Sequence, residues 1–236
     1  MRKTLLFLVL LSILTSGVYP ACHSKSRSLD SIDRIHFRSG FVLYSLVLFS
    51  SFRFDENVRE NFAQNHGNFK DKYFDLLNYG GDAKYSAFTP LLLYGLGLAI
   101  KNEKLKRTSC IAFESFVISG VMTSVLKYSF GRARPYNEKG AYYFTPFPEG
   151  LDNDYLSLPS GHSSTAWSIV TPYAEEYSKW LYIIPVSVSL ARIYKDQHWL
   201  SDVLLGGGLG YFTSWYMIHK PTKKFSVSGH SLTFYF

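Results

Sequence analysis

A chain of 236 residues is long enough for one sizeable core, and no internal repeat or composition break divides it. Apolar residues at 47% and aromatics at 17% exclude a disordered chain and demand extensive buried or lipid-facing surface. A net charge of +7 fits an anionic membrane or substrate, whereas the scattered Lys and Arg, with no zinc spacing or recognition-helix pattern, exclude a nucleic-acid partner. In chain order, residues 1–21 read as a secretory signal: Arg2-Lys3 is a positive start, Leu5 to Leu14 an apolar centre, and the run to Ala21 a small-residue exit. Thr4 to Cys22 carries no formal charge, so an uncleaved anchor helix competes with that reading. Residues 22–39 form a polar linker, and Cys22 raises the question of a lipidated N-terminus, although Tyr19-Pro20-Ala21 matches a lipoprotein box poorly. Two cysteines cannot build a disulfide framework, and Cys110, in an apolar run, is expected as a small core residue.

Residues 40–219 carry the expected helical domain. Gly40 to Phe52 is apolar between two arginines, and Asp55 to Tyr79 reads as one or two amphipathic helices stopped at Gly80-Gly81. Tyr85 to Ile100, Ile111 to Leu126, Ser163 to Tyr177, Trp180 to Tyr194 and Val203 to Ile218 complete the set. The fold class is all-α, a bundle of about six core helices. Its uncharged runs fall short of the roughly 20 residues of a bilayer span, so a membrane-embedded and a soluble bundle both fit. Trp and Tyr near helix ends favour the membrane. Glu138 to Leu158 lacks helical periodicity and is a candidate lid or substrate-selecting loop, or a plain surface excursion. In the tail, 220–236, alternating residues on either side of Gly229-His230 predict a short C-terminal β-hairpin.

Three clusters carry chemistry. If Ser189 to Gly208 were helical, His198 and Asp202 would lie one turn apart on one face. A carboxylate there bonds one imidazole nitrogen and leaves the other free as nucleophile or base. Arg192 would point elsewhere on an unbroken helix, so a break is expected at Lys195-Asp196-Gln197, with one helix ending near Tyr194 and another starting near His198. Upstream stand Pro159-Ser160-Gly161-His162 and Lys127 with Arg134-Pro135. Lys127, Arg134 and Arg192 are the fixed positive donors that a phosphoryl group in transfer needs, and planar Arg can bond two oxygens. Ser160 is a good helix cap, the N–H groups after it form an anion site, and Gly161 allows close approach. Singly, each cluster has a plain structural explanation: a buried His with a satisfying Asp, a snorkelling Lys, a turn at Arg-Pro. Jointly, that explanation needs three phosphate-suited clusters with no phosphate.

Taken in order, K-x6-R-P, P-S-G-H and R-x5-H-x3-D closely resemble the three-part signature of the type 2 phosphatidic acid phosphatase and vanadium haloperoxidase superfamily. The resemblance covers Lys127 to Asp202, with flanking helices from about Phe88 to Ile218. One departure is Ala191, where many members carry Ser before the Arg; every charged group is retained. The resemblance implies that His198 attacks phosphorus and forms a phosphohistidine, that Asp202 orients it, and that His162 protonates the leaving oxygen. Lys127, Arg134, Ser160, Gly161 and Arg192 would bind the phosphate. No metal and no cofactor are expected, because the cations already supply the charge a metal would. Arg132 lies inside the first motif at no fixed position, and substrate contact is the weaker of its readings. The implied activity is metal-independent hydrolysis of a lipid phosphomonoester or diphosphate, with phosphatidic acid, phosphatidylglycerol phosphate, undecaprenyl diphosphate and the lipid A phosphates as candidates. The place would be the extracytoplasmic, periplasmic side of a bacterial cell envelope, with membrane association favoured over a soluble state. A soluble broad-range acid phosphatase, a vanadate-dependent haloperoxidase and a non-catalytic phospholipid-binding protein remain as alternatives, the haloperoxidase disfavoured by its usually much larger chain.

Overall fold

The computed structural model describes residues 31–63, 68–79, 81–148, 152–220, 225–228 and 231–234. The expected leader at 1–21 and Cys22 lie outside them. Helix α1 (Ser31–Ser51) starts inside the segment expected as linker and continues through the apolar run from Gly40. A single 3-10 turn (Phe52–Phe54) leads to the amphipathic pair α2 (Asp55–Ala63) and α3 (Asn68–Tyr79). The short α4 (Ala83–Ser86) is capped by Asp82, whose carboxylate accepts from Lys84 N at 2.9 Å, and α5 (Phe88–Ala99) follows.

Helix α6 (Glu103–Phe130) is far longer than the expected run from Ile111 to Leu126. The charges of Glu103, Lys104, Lys106 and Arg107 belong to its first turns, and at its other end Lys127 is still helical. At 1.5 Å per residue it is roughly 42 Å long, and it is the one described helix long and apolar enough to cross a bilayer. Asn102 caps its start, accepting from Leu105 N at 3.0 Å. Gly131 ends it with φ 57°, where an added Cβ would stand 1.6 Å from the Thr145 carbonyl oxygen, so only glycine fits. Cys110 is buried on α6 as expected.

After a long connection come α7 (Gly161–Glu176), a 3-10 turn (Lys179–Tyr182), α8 (Ile183–Tyr194) and α9 (Leu200–His219). Helix α7 is central, packed between α6 and α9. Its seam with α9 is made of backbone: a Cβ on Gly206 would lie 2.3 Å from the Ser160 carbonyl oxygen, and one on Gly210 would lie 2.5 Å from that of Ser164. Hydroxyls tie the rest, with Ser214 Oγ donating to the Ser168 carbonyl at 2.8 Å and Thr123 Oγ1 to Ser164 Oγ at 2.9 Å.

Beside an apolar cluster around Ala112, Ile169 and Tyr173, the bundle buries many hydroxyls and turns long apolar side chains outward. Ser109, Ser115, Ser119, Thr123, Ser163, Ser164, Ser168 and Thr171 are buried between helices. Facing outward are Leu43 and Phe49 on α1, Leu92 on α5 (71% exposed), Val125 on α6 and Ile183 on α8. Small and hydroxyl residues at helix contacts, with long apolar side chains outside, are features found where helices pack in lipid. In water the same exterior would be a very large unsatisfied apolar patch.

The described parts of the connection, 131–148 and 152–160, form a strap. It pairs back on itself, Ala133 N donating to Tyr143 O at 3.0 Å, Thr145 N to Gly131 O at 2.8 Å and Ser157 N to Arg132 O at 3.0 Å. With its backbone satisfied in this way it packs beneath the start of α7, burying Ala141, Ser157 and Leu158.

Candidate active site

The break expected between Arg192 and His198 is present, since α8 ends at Tyr194 and α9 begins at Leu200. Asp196 turns the chain with φ 54°, and Arg59 of α2 grips both its carboxylate oxygens at 2.8 Å. His198 therefore precedes α9 instead of stacking one helical turn below Asp202, which corrects the expected geometry. Asp202 stands in the first turn, where its Oδ2 accepts from Trp199 N at 2.9 Å and caps the helix. His198 Nδ1 lies 3.6 Å from Asp202 Oδ2 and 3.5 Å from Ser157 Oγ, and Ser157 Oγ donates to Asp202 Oδ2 at 2.5 Å. With Nδ1 turned toward these oxygens, Nε2 is the nitrogen available for chemistry.

The start of α7 is brought to the same place by its seam with α9. Ser160 N donates to the Asp202 carbonyl at 2.9 Å, and Ser160 Oγ caps α7 by accepting from Ser163 N at 3.4 Å. Ser160 is fully buried with its hydroxyl turned toward Ser163, so what it offers the site is backbone and cap. A Cβ on Gly161 would meet only Lys127 Cε, at an ordinary 3.7 Å, so the protein itself leaves this position open. Beside His162 the chain passes closely at Gly81, where a Cβ would be 2.8 Å from that of His162.

The three expected cations are held by neutral oxygens. Lys127 Nζ donates to the carbonyls of Leu156 and Ser157. Arg134 donates to Asn153 O and Oδ1, both at 2.8 Å, and to Gln197 O and Oε1, both at 3.2 Å. Arg192 donates to Asn78 Oδ1 and, at 3.5 Å, to Gln197 Oε1, while its buried Nε has no partner. Among the described residues no carboxylate forms an ion pair with any of the three. Burial, and then the charges of Lys127, Arg134, Arg192 and His162, hold the His198 pKa well below its ordinary 6.5. Lys127, Arg134, Arg192 and His162 thus act electrostatically on His198, and two buried arginines with a half-buried lysine, without a carboxylate partner among the described residues, suit a compact anion such as phosphate.

A cavity of about 520 Å³ is lined by Asp75, Asn78, Arg192, Lys195 and Gln197 among others, and of the predicted site residues it touches Arg192. The larger cavity, about 1270 Å³ between α1, α8 and α9, is lined by none of the predicted site residues.

Other parts of the site were not legible in the sequence. Arg132 does not face the anion space: it has no exposed surface and donates to Asp202 Oδ1 and Asp55 Oδ2, both at 2.7 Å. Asp55 reads in the sequence only as an acidic first turn of an amphipathic helix. Ser157 and Asn153 come from the strap, and Gln197 reads only as part of a polar break.

The family model described as the PAP2 superfamily matches residues 108–226, half of the chain. The lipid A 1-phosphatase of Porphyromonas gingivalis is 28% identical over 190 residues, covering 73% of this chain but only 37% of that protein's own length. The undecaprenyl-diphosphatase of Sulfolobus acidocaldarius is 32% identical over 158 residues, 63% of this chain and 71% of that one. Among solved structures, the transmembrane PAP2 type phosphatidylglycerolphosphate phosphatase of Bacillus subtilis superposes with a TM-score of 0.57 at 20% identity, covering 76% of this chain and 92% of that one. The motif-bearing helices and the all-α architecture agree with that match, and the chain belongs to the PAP2 superfamily.

Proposed function

We propose that this chain is a metal-independent phosphatase that removes a phosphate or diphosphate group from a lipid through a phosphohistidine on His198. The observation that carries the reading is the trio of cations, Arg134 and Arg192 buried and Lys127 half-buried, held only by neutral oxygens, with Arg192 Nε unpartnered among them. A phosphoryl group in transfer spreads its charge over three oxygens and would satisfy all of them at once.

In this mechanism His198 Nε2 attacks phosphorus, the bond from phosphorus to the leaving oxygen breaks, and His162 gives that oxygen its proton. Asp202 and Ser157 lie beside Nδ1, at 3.6 and 3.5 Å, which leaves Nε2 for the attack. Water then attacks the phosphohistidine and yields a proton to His162; the phosphorus–nitrogen bond breaks, phosphate leaves, and both imidazoles return to their starting states. Lys127, Arg134 and Arg192 hold the non-bridging oxygens throughout, with the N–H groups at Gly161 and His162 adding the positive end of α7. Ser160 acts by fixing that end through its cap.

The outward-facing apolar side chains support a body, residues 40–219, embedded in a bilayer; in this reading 1–21 is signal or anchor and the site lies on the extracytoplasmic side. In the tail, 220–236, a hairpin would pair Phe225 with Phe234. The names of the relatives support a lipid phosphate as substrate, and the lipid A 1-phosphate is the first to test.

The test is phosphate release by the protein in detergent from lipid A, undecaprenyl diphosphate, phosphatidylglycerol phosphate, phosphatidic acid and a water-soluble ester. At least one lipid should be hydrolysed equally well with and without a chelator, and His198→Ala should lower turnover by about a thousandfold or more. An acid-labile phosphoprotein should form in the wild type and vanish in that variant. Release undiminished by His198→Ala sinks the mechanism, and preference for the soluble ester without detergent favours a broad-range acid phosphatase.

A further inference from the structure

We propose that Asp55 and Arg132 are positioning residues for the reaction at His198, acting through Asp202, so that the site is completed by a carboxylate from α2, outside the family-matched residues 108–226. This inference rests on the phosphatase reading above and adds residues to its site.

The geometry divides Asp202 in two. Its Oδ2 accepts from Ser157 Oγ and Trp199 N and faces His198 Nδ1, while its Oδ1 is taken by Arg132 Nη1 at 2.7 Å. Arg132 is itself held on its far side, where Nη2 donates to Asp55 Oδ2 at 2.7 Å and Nε to the Ala141 carbonyl at 2.8 Å. Asp55 also accepts from Ser201, from N at 2.8 Å and from Oγ at 2.6 Å, directly beside Asp202 in the chain. Asp55, Arg132, Ser201 and Asp202 have no exposed surface beyond 1%, and the rings of Phe52, Phe144 and Trp199 surround the guanidinium at 5.1–5.5 Å.

Charge explains why two carboxylates are needed. Arg132 alone would neutralise Asp202 and weaken its hold on the imidazole. With Asp55 sharing the guanidinium, the cluster keeps one net negative charge facing His198, in a ring-lined space where water does not screen it. A purely structural buried pair would need no contact with Asp202. Here the same guanidinium spans Asp55 and the carboxylate that faces His198.

The experiment is a double-mutant cycle on the full chain, measuring kcat and KM on whichever lipid is hydrolysed, for Asp55→Asn, Asp202→Asn and the pair, with His198→Ala alongside. Asp55→Asn should lower kcat roughly 10- to 100-fold, the usual effect of losing an outer partner of a site ligand, with KM changed less than about threefold. In the Asp202→Asn background the same substitution should cost less than about threefold, because its route of action is gone. Should Asp55→Asn fail to fold, Ser201→Ala, which removes the hydroxyl shared by Asp55 and Arg132, takes its place with the same expected non-additivity. Losses that multiply, or a fall confined to KM, overturn the proposal while leaving the phosphatase reading intact. Turnover that survives His198→Ala overturns both.

Discussion

Two residues apart in one connection, Arg132 donates to two carboxylates and has no exposed surface, whereas Arg134 donates only to the carbonyl and amide oxygens of Asn153 and Gln197. The first is a charge already answered from within the protein, and it works as a brace. The second is a charge held in position by neutral oxygens, and burial lowers its pKa although Tyr136, Asp202 and Asp154 oppose part of that shift. The same side chain in the same short motif is therefore structural or ligand-seeking according to whether its acceptors carry charge. Lys127 and Arg192 fall with Arg134 on that criterion.

The contrast can be broken most directly by truncating each arginine. Arg132→Met leaves Asp55 and Asp202 buried face to face, and should cost about 3–5 kcal/mol of stability. Arg134→Met removes an uncompensated cation, and should change stability by less than about 1 kcal/mol while lowering turnover by roughly 10²- to 10³-fold. Unfolding midpoints in detergent alongside phosphate release would separate the two, and similar behaviour of both variants would erase the distinction.

A smaller effect sharpens it. Inorganic phosphate should stabilise the wild type by about 2.7 kcal/mol at a hundred times its dissociation constant. It should stabilise Arg132→Lys nearly as well, and Arg134→Met or Arg192→Met far less. Equal stabilisation of all four proteins would show that the three open cations do not form the anion site.

The smallest effect concerns pH. Because the folded protein holds His198 well below its ordinary 6.5, the unfolded chain takes up a proton first as pH falls. The stability contributed by neutral His198 is complete above about pH 6.5 and declines below it, by up to about 1.4 kcal/mol per pH unit, until the folded pKa is reached. His198→Gln should lack that part of the slope between pH 7 and 5, and bound phosphate should reduce it in the wild type by offsetting the neighbouring cations. Parallel slopes in wild type and variant would remove His198 from the account.

The motif residues were legible because their chemistry is local in sequence: a Ser-Gly-His at a helix start, an Arg before a polar break, a His followed four residues later by Asp. The break itself could be inferred, since Arg192 and His198 cannot converge on a continuous helix. What could not be read depends on distant packing. Asp55 looks like any solvated acid in a first turn, and nothing near it announces a guanidinium 77 positions away. Ser157, Asn153 and Asn78 are small polar residues in segments whose periodicity says nothing of the side they face. The strap's backbone pairing with residues 131–133 could not be read, because it leaves no alternating pattern. Helix α6 was read as too short because charge at a helix end looks the same in sequence as charge in a loop.

The glycine seam bears on how such a catalyst can change over time. Gly206 and Gly210 let main chain rest on main chain, so the elements carrying His162 and Asp202 cannot slide past one another without one being lifted away entirely. Retuning for a new headgroup therefore falls to parts fastened by side chains alone, such as α3 with its Asn78 and Asp75, which can be exchanged while the reacting atoms stay in register.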